Sequence, residues 1–228
     1  LAPNILFNIY IIDHNSNKED LEVMKKQLNR SKIENSIISL NIEEFLINIK
    51  KINAKNEPVT KNQISNMCNI HKSLITAKNE CDDLIYFVED DYLHEKNAIS
   101  EMIFTYERIS SQLNRELILC PADYPFLYSK IDKTNIFLGL NKHWRKVDET
   151  LCTFLTSKLM VNKYWEKLIK MCQFEHYPFE KPLHEIYEEE ICLSPIPSVA
   201  LHCTNINSVF GLSPNMDWNK IWKENEDY

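Results

Sequence analysis

With 228 residues, 44% of them hydrophobic and 26% charged, the chain carries enough apolar surface to offset the entropy of ordering and is long enough for one large α/β domain. Its net charge is −7, with lysines and arginines scattered among acids, which excludes the basic stripe that nucleic acid requires. The seven cysteines, odd in number and without C-x-x-C spacing, read as reduced core residues, and no apolar run approaches the ~20 residues of a membrane span.

Ile5 to Ile12 (ILFNIYII) reads as a buried strand closed by the polar loop Asp13-His14-Asn15-Ser16. Ser16 with Glu19 forms a capping box, after which Leu21, Met24 and Leu28 recur at helical spacing. Ser36 to Leu40 is a second strand, and Ile42 to Ile52 a helix with an apolar stripe through Phe45 and Ile49. Past Pro58, Ile64, Met67, Cys68, His71, Leu74 and Ile75 share one face of a helix over 62–78, which delivers the chain to the strand LIYFVEDDY (84–92). Ile99 to Leu113 follows as a helix and Leu117 to Cys120 as a strand closed by Pro121. This alternation predicts an α/β fold with a mainly parallel central sheet and helices on both faces.

The second half is less regular. Phe137 to Leu140 and Thr150 to Leu155 read as strands, Ser157 to Phe174 as a helix, and Leu183 to Glu190 as a short acidic helix after a loop bracketed by Pro178 and Pro182. Pro195 and Pro197 lead into a last strand, Ser198 to His202, and the rest is a polar tail with aromatic punctuation at Phe210, Trp218 and Trp222. The chain holds only two glycines, Gly139 and Gly211, so neither G-x-G-x-x-G nor a P-loop exists and any phosphate must be held by other means.

The chemistry concentrates in Glu89-Asp90-Asp91. In an open α/β sheet ligands bind outside the carboxyl ends of the strands, and there an apolar strand runs into three consecutive carboxylates. Like charges at such a place need a cation, and a hard divalent ion with oxygen ligands, Mg²⁺ or Mn²⁺, suits them. Continued extended geometry would turn Glu89 and Asp91 to one side and Asp90 to the other. The alternative is that one aspartate caps the next helix and the rest is solvated loop.

The first strand IYIID, the helix over 62–78, LIYFVEDDY and the late strand ending in His202 together resemble the GT-A family of nucleotide-sugar glycosyltransferases, with EDD standing for its D-x-D-type motif. The segments PADYP (121–125), TFLT (153–156) and LHCT (201–204) look like viral and bacterial GT-A domains. The resemblance implies a single GT-A (Rossmann-like) domain. Residues 1–120 would be its nucleotide-sugar (donor) half, and 121–228 its acceptor half with the late histidine and C-terminal tail.

It further implies that Asp91 ligates Mn²⁺ or Mg²⁺ with His202, while Glu89 and Asp90 support the ribose and metal-bound water. A glutamate stands where the motif has its first aspartate, which puts the role of Glu89 in doubt. Asp13 would lie by the nucleotide, Lys72 by the diphosphate, and Glu185, with Asp123 second, would deprotonate the acceptor hydroxyl. For each the competing reading is ordinary: a turn residue, a solvated lysine, one acid in an acidic segment. Tyr92, Tyr124, Trp144 and Trp218 would offer aromatic faces to sugar rings, Trp144-Arg145-Lys146 a contact for acceptor or diphosphate, and the tail over 211–215 a lid.

The expected partners are a UDP- or GDP-sugar donor and a glycan acceptor, with no nucleic acid and no transmembrane segment. Without a signal sequence the protein is expected to be cytoplasmic. Beginning Leu1-Ala2-Pro3, it reads as a piece of a longer chain, so tethering or peripheral membrane contact stays open. A metal-dependent nucleotidyltransferase lacks here its glycine-rich loop. A non-catalytic Ca²⁺-dependent binding module would draw on glycine-rich loops, also missing, and a receiver or phosphatase domain would carry its acids after the first strand.

Overall fold

The computed structural model describes residues 5–45, 52, 56–129, 131–172, 180–204, 206–213 and 215–226. Its strands are β1 (Asn8–Asp13), β2 (Glu34–Ser39), β3 (Leu84–Phe87), β4 (Tyr92–His94), β5 (Leu117–Leu119), β6 (Ile136–Leu138), β7 (His143–Val147), β8 (Phe154–Ser157), β9 (Ile191–Ile196) and β10 (Ala200–His202). The helices are α1 (Lys18–Ser31), α2 (Lys61–Glu80), α3 (Ala98–Leu113), α4 (Lys158–Lys163), α5 (Trp165–Leu168), α6 (Lys181–Tyr187) and α7 (Trp218–Glu226). None of the described helices is long and apolar enough to cross a membrane.

The fold is α/β, but its main sheet is mixed rather than mainly parallel. Six strands run in the order β3-β8-β5-β9-β7-β6, and only β5 and β9 are parallel neighbours. A parallel pair needs a long crossover, usually helical. Here β6 and β7 form a hairpin, and β8 arrives from β7 without an intervening helix, so it enters antiparallel between β3 and β5. Strands from both sides of residue 120 interleave, so the expected donor and acceptor halves share one sheet. β1 and β2 make a separate parallel pair and β4 with β10 a separate antiparallel pair.

Helices do cover both faces of the main sheet. Alternation along the strands sends Ile85, Ile118, Phe154 and Cys192 to the side of α2, α4, α5 and α6. Leu117, Leu119, Leu155 and Leu193 go to the side of α3. The second strand and the helices α2 and α3 lie close to where the sequence puts them. The capping box of α1 does not: the cap is Asn17, whose side chain accepts from the Asp20 N–H at 2.9 Å. Thr60 and Gln63 instead form a capping box on α2.

Other readings change as well. The helix expected over 42–52 begins as one 3₁₀ turn at Ile42–Glu44 and ends at Ile52 in a β-bridge to Pro58; residues 46–51 lie outside the described residues. The long helix expected over 157–174 is broken into α4, α5 and a 3₁₀ turn, with 173 and 174 outside the described residues. Polar sequences hid β7 and α7, where single buried residues (Trp144 and Val147; Ile221) carry the packing.

The β6–β7 hairpin is held by a buried carboxylate. Glu101 on α3 is 2% exposed and accepts from the backbone N–H of Asn141 (2.8 Å) and Lys142 (3.2 Å), the Trp144 indole (3.1 Å) and the Thr105 hydroxyl (3.2 Å). Gly139 is needed at this turn because a Cβ there would lie 2.4 Å from Trp144 Nε1 and 2.5 Å from Thr105 Oγ1. Glu101→Ala would strand several buried donors at once. It should lower the unfolding free energy by about 3 kcal/mol, seen as a drop in the urea midpoint at unchanged slope.

Candidate active site

β3 ends at Phe87, and Asp90-Asp91 form a turn that leads into β4. β4 pairs antiparallel with β10 in a register that sets Tyr92 opposite His202. The Cys203 N–H donates to the Asp91 carbonyl at 2.7 Å and extends the ladder by one step. This pairing brings His202 Nε2 to 2.8 Å from Asp91 Oδ2 across 111 positions of sequence. The Tyr92 ring stacks on the His202 ring (centroids 5.0 Å, 17° between planes), and the Tyr92 hydroxyl is 2.6 Å from that of Tyr124. Both rings are thereby fixed in position.

Burial alone would raise the Asp91 carboxyl, but hydrogen bonds from His202 and the Thr204 side chain, with the charge of His202, outweigh it and hold the group below the usual carboxylate range. His202 answers in kind: burial opposes its proton, yet Asp91 and the charge of Glu89 raise it above an ordinary histidine. Asp91 Oδ1 and His202 Nδ1 are both buried and make no close hydrogen bond, although the Thr204 side chain and the Phe210 backbone stand near enough to act on the two groups. Nor does any serine or cysteine stand against His202 Nδ1 to make a nucleophile–base pair.

Glu89 lies behind this pair. Its N–H donates to Thr153 Oγ1 (3.1 Å), and the same hydroxyl donates to Glu89 Oε2 (3.3 Å). Burial, then the charge of Asp91, pushes the Glu89 carboxyl up to about 7. Asp90 is exposed, so the expected split of the triplet holds, although a turn rather than extended strand produces it.

A fourth group, not singled out in the sequence, belongs here. Glu180 stands at the start of α6, where its carbonyl accepts from Leu183 N (2.8 Å) and His184 N (2.9 Å). Burial raises its carboxyl, and its charge interacts with Glu89 and His202. The signal was present in Glu180-Lys181-Pro182, since proline in the first helical turn marks a helix start. Glu185 is five residues on, about 140° around the helix, and so leaves the side of α6 that carries Glu180 and His184. Its neighbour Glu190 is structural, bound to Lys163 (2.5 Å), Tyr164 (2.7 Å) and Arg115 (3.0 Å).

The other expected residues are placed elsewhere. Asp123 is 1% exposed, takes an ion pair from Arg145 (2.5 Å) and accepts from the Tyr128 hydroxyl, so both carboxylate oxygens are occupied. Arg145 is thus committed, and Lys146 pairs with Asp148 at 3.4 Å. Tyr92, Tyr124 and Trp144 are buried, which leaves Trp218 as the one exposed member of that aromatic set. Asp13 ends β1, next to the His14–Ser65 hydrogen bond (2.5 Å) and the Asn69 amide that donates to the Ile12 carbonyl (3.0 Å). Lys72 is one turn beyond Asn69 on the same side of α2. Neither Asp13 nor Lys72 makes a hydrogen bond or ion pair with the acidic triplet among the described residues.

The donor set fits a hard divalent cation only in part. The 2.8 Å between Asp91 Oδ2 and His202 Nε2 is close to the edge, about 3.0 Å, of an octahedron with ligands about 2.1 Å from Mg²⁺. Among the described residues no three His, Cys, Asp or Glu side chains converge as a metal cage. Two protein ligands suit an ion that takes its other ligands from water and a substrate's phosphates, provided it displaces the proton that Asp91 Oδ2 and His202 Nε2 share. No protein-family model matches this chain, and no curated protein matches it significantly.

Because the Glu89 carboxyl is raised, the folded protein holds its proton where the unfolded chain has lost it, and stability should fall as pH rises from about 4.5 to 7. Glu89→Gln should flatten that part of the profile and leave the metal-free protein more stable at pH 8, by roughly 2 kcal/mol. Urea midpoints of both proteins at pH 5 and pH 8 measure it.

Proposed function

We propose that this chain is a metal-dependent glycosyltransferase that moves a sugar from a nucleotide-diphosphate sugar to a hydroxyl acceptor. The observation that carries the reading is the Asp91–His202 pair, built by the β4–β10 ladder at the end of an apolar strand. That pair suits a cation shared with a substrate, and the glycine poverty of the chain leaves phosphate to be held in that way. A calcium module would need about six to eight oxygen ligands, which this two-ligand arrangement does not approach.

In this reading Asp91 and His202 hold Mn²⁺ or Mg²⁺. A cation held there would supply positive charge beside the donor diphosphate and offset what builds on the leaving nucleotide. Glu89, steadied by Thr153, orients polar groups around the pair. Asp13 and Lys72, at the end of β1 and on α2, serve the nucleotide side. Glu180 replaces Glu185 as the base: its raised carboxyl is suited to take the acceptor proton near neutral pH. Asp123 positions Arg145 and Tyr128 and has no oxygen left for the reaction.

UDP or GDP should raise the melting temperature only when Mn²⁺ is present, and Asp91→Ala should abolish the effect. Stabilisation by nucleotide without metal, or undiminished in Asp91→Ala, would sink the mechanism. Glu180→Gln should cut transfer about 10²- to 10⁴-fold while nucleotide still binds with Mn²⁺. Turnover unchanged in that variant removes Glu180 as the base.

A further inference from the structure

The segment that leaves His202 does not run off into solvent. Ile206 accepts from the Leu212 N–H (2.8 Å), Val209 accepts from the Phe126 N–H (3.0 Å), and the Phe126 and Phe210 rings pack at 5.3 Å. Beyond it Met216 and Ile221 join Leu201 in a small apolar cluster. The segment therefore crosses from the Asp91–His202 pair to the 3₁₀ turn Pro125–Tyr128, where it walls a second, open pocket of about 460 Å³. That volume is within the range of about 300–1,000 Å³ usual for small-molecule sites.

The pocket is lined by Pro125, Tyr128, Leu212, Ser213, Asn215 and Met216. Tyr128 is half exposed, and its other face is covered by the Arg145 guanidinium, 4.2 Å from the ring centroid. Arg145 and Asp123 neutralise one another beneath it. Ser213 is 2% exposed and its hydroxyl has no hydrogen-bond partner, an orphan of the kind that a ligand or water satisfies. The wall thus offers one aromatic face, apolar flanks, a hydroxyl and an amide, and no uncompensated charge.

We infer that this pocket binds a neutral pyranose ring, its C–H face on Tyr128 and its hydroxyls toward Ser213 and Asn215, and that it seats the acceptor sugar. The acceptor role rests on the transferase reading; the ligand chemistry rests on the pocket alone. A charged sugar would lose water here without gaining a counter-ion.

Saturation-transfer NMR on the full chain, without metal or nucleotide, tests this with the methyl glycosides of glucose, galactose, mannose and N-acetylglucosamine. Glucuronic acid and glucosamine serve as charged counterparts. At least one neutral glycoside should bind saturably and more tightly than the charged sugars. Tyr128→Ala should weaken it about tenfold, as expected for loss of a stacking face. Because Tyr128 also bonds buried Asp123, Asn215→Gly is the second variant; residue 215 has φ 63°, which glycine adopts without strain. It too should weaken binding, with the melting temperature unchanged.

Absence of binding by all four glycosides, equal binding of the charged sugars, or indifference to both variants overturns the assignment. Glycoside binding in a protein that fails to bind nucleotide with Mn²⁺ would leave the pocket standing and remove the transferase reading instead.

Discussion

The antiparallel pairing of β4 with β10 is the constraint on which the rest of the site depends. Each strand is three residues long, yet their register sets Tyr92 on the face of the His202 ring and leaves Asp91 at its edge. Directly opposed residues in such a pair share one side of the sheet, which accounts for the ring stacking, while Asp91 reaches the histidine from the turn just before β4. Without that ladder His202 would be a lone histidine after an apolar strand and the acids an isolated loop.

Electrostatics then divides the three adjacent carboxylates among different environments. Asp90 goes to water, Asp91 is compensated by His202, and Glu89 is half-buried with a carboxyl that keeps its proton to about pH 7. The repulsion apparent in the sequence is relieved by placement and proton uptake as well as by any cation. Glu180 adds a fourth acid from α6, on the far side of the chain in sequence but close enough to feel the same charges. By contrast, Glu101, Asp123 and Glu190 are buried acids with their oxygens committed to donors, and these stabilise elements instead of facing a substrate.

The mixed sheet arises from the short connections of the second half. β–α alternation in the first 120 residues makes a parallel sheet the natural expectation, and β1 with β2 obeys it. The main sheet departs from it because β6 and β7 turn back as a hairpin and β8 inserts antiparallel. β7 was invisible in sequence because HWRKV has only two buried residues, Trp144 and Val147, and their spacing of three breaks the alternation that marks a strand. α7 was hidden for the same reason, resting on Ile221 alone.

Local chemistry by itself determined the apolar strand that ends in acids, the helices α2 and α3, and the lack of any glycine-rich phosphate loop, whereas the candidacy of Asp91 and His202 came from the family resemblance. The first three follow from periodicity, composition and the cost of uncompensated charge, all of which act between near neighbours in the chain. Tertiary structure alone decided that Glu180 rather than Glu185 joins the acids, because helical phase depends on where α6 begins. It also decided that Asp123 is spent on Arg145, and that Tyr92 and Tyr124 are buried supports and not sugar platforms. Each of those outcomes turns on contacts between residues far apart in sequence, and the distance between such residues is set only when the strands that carry them have paired.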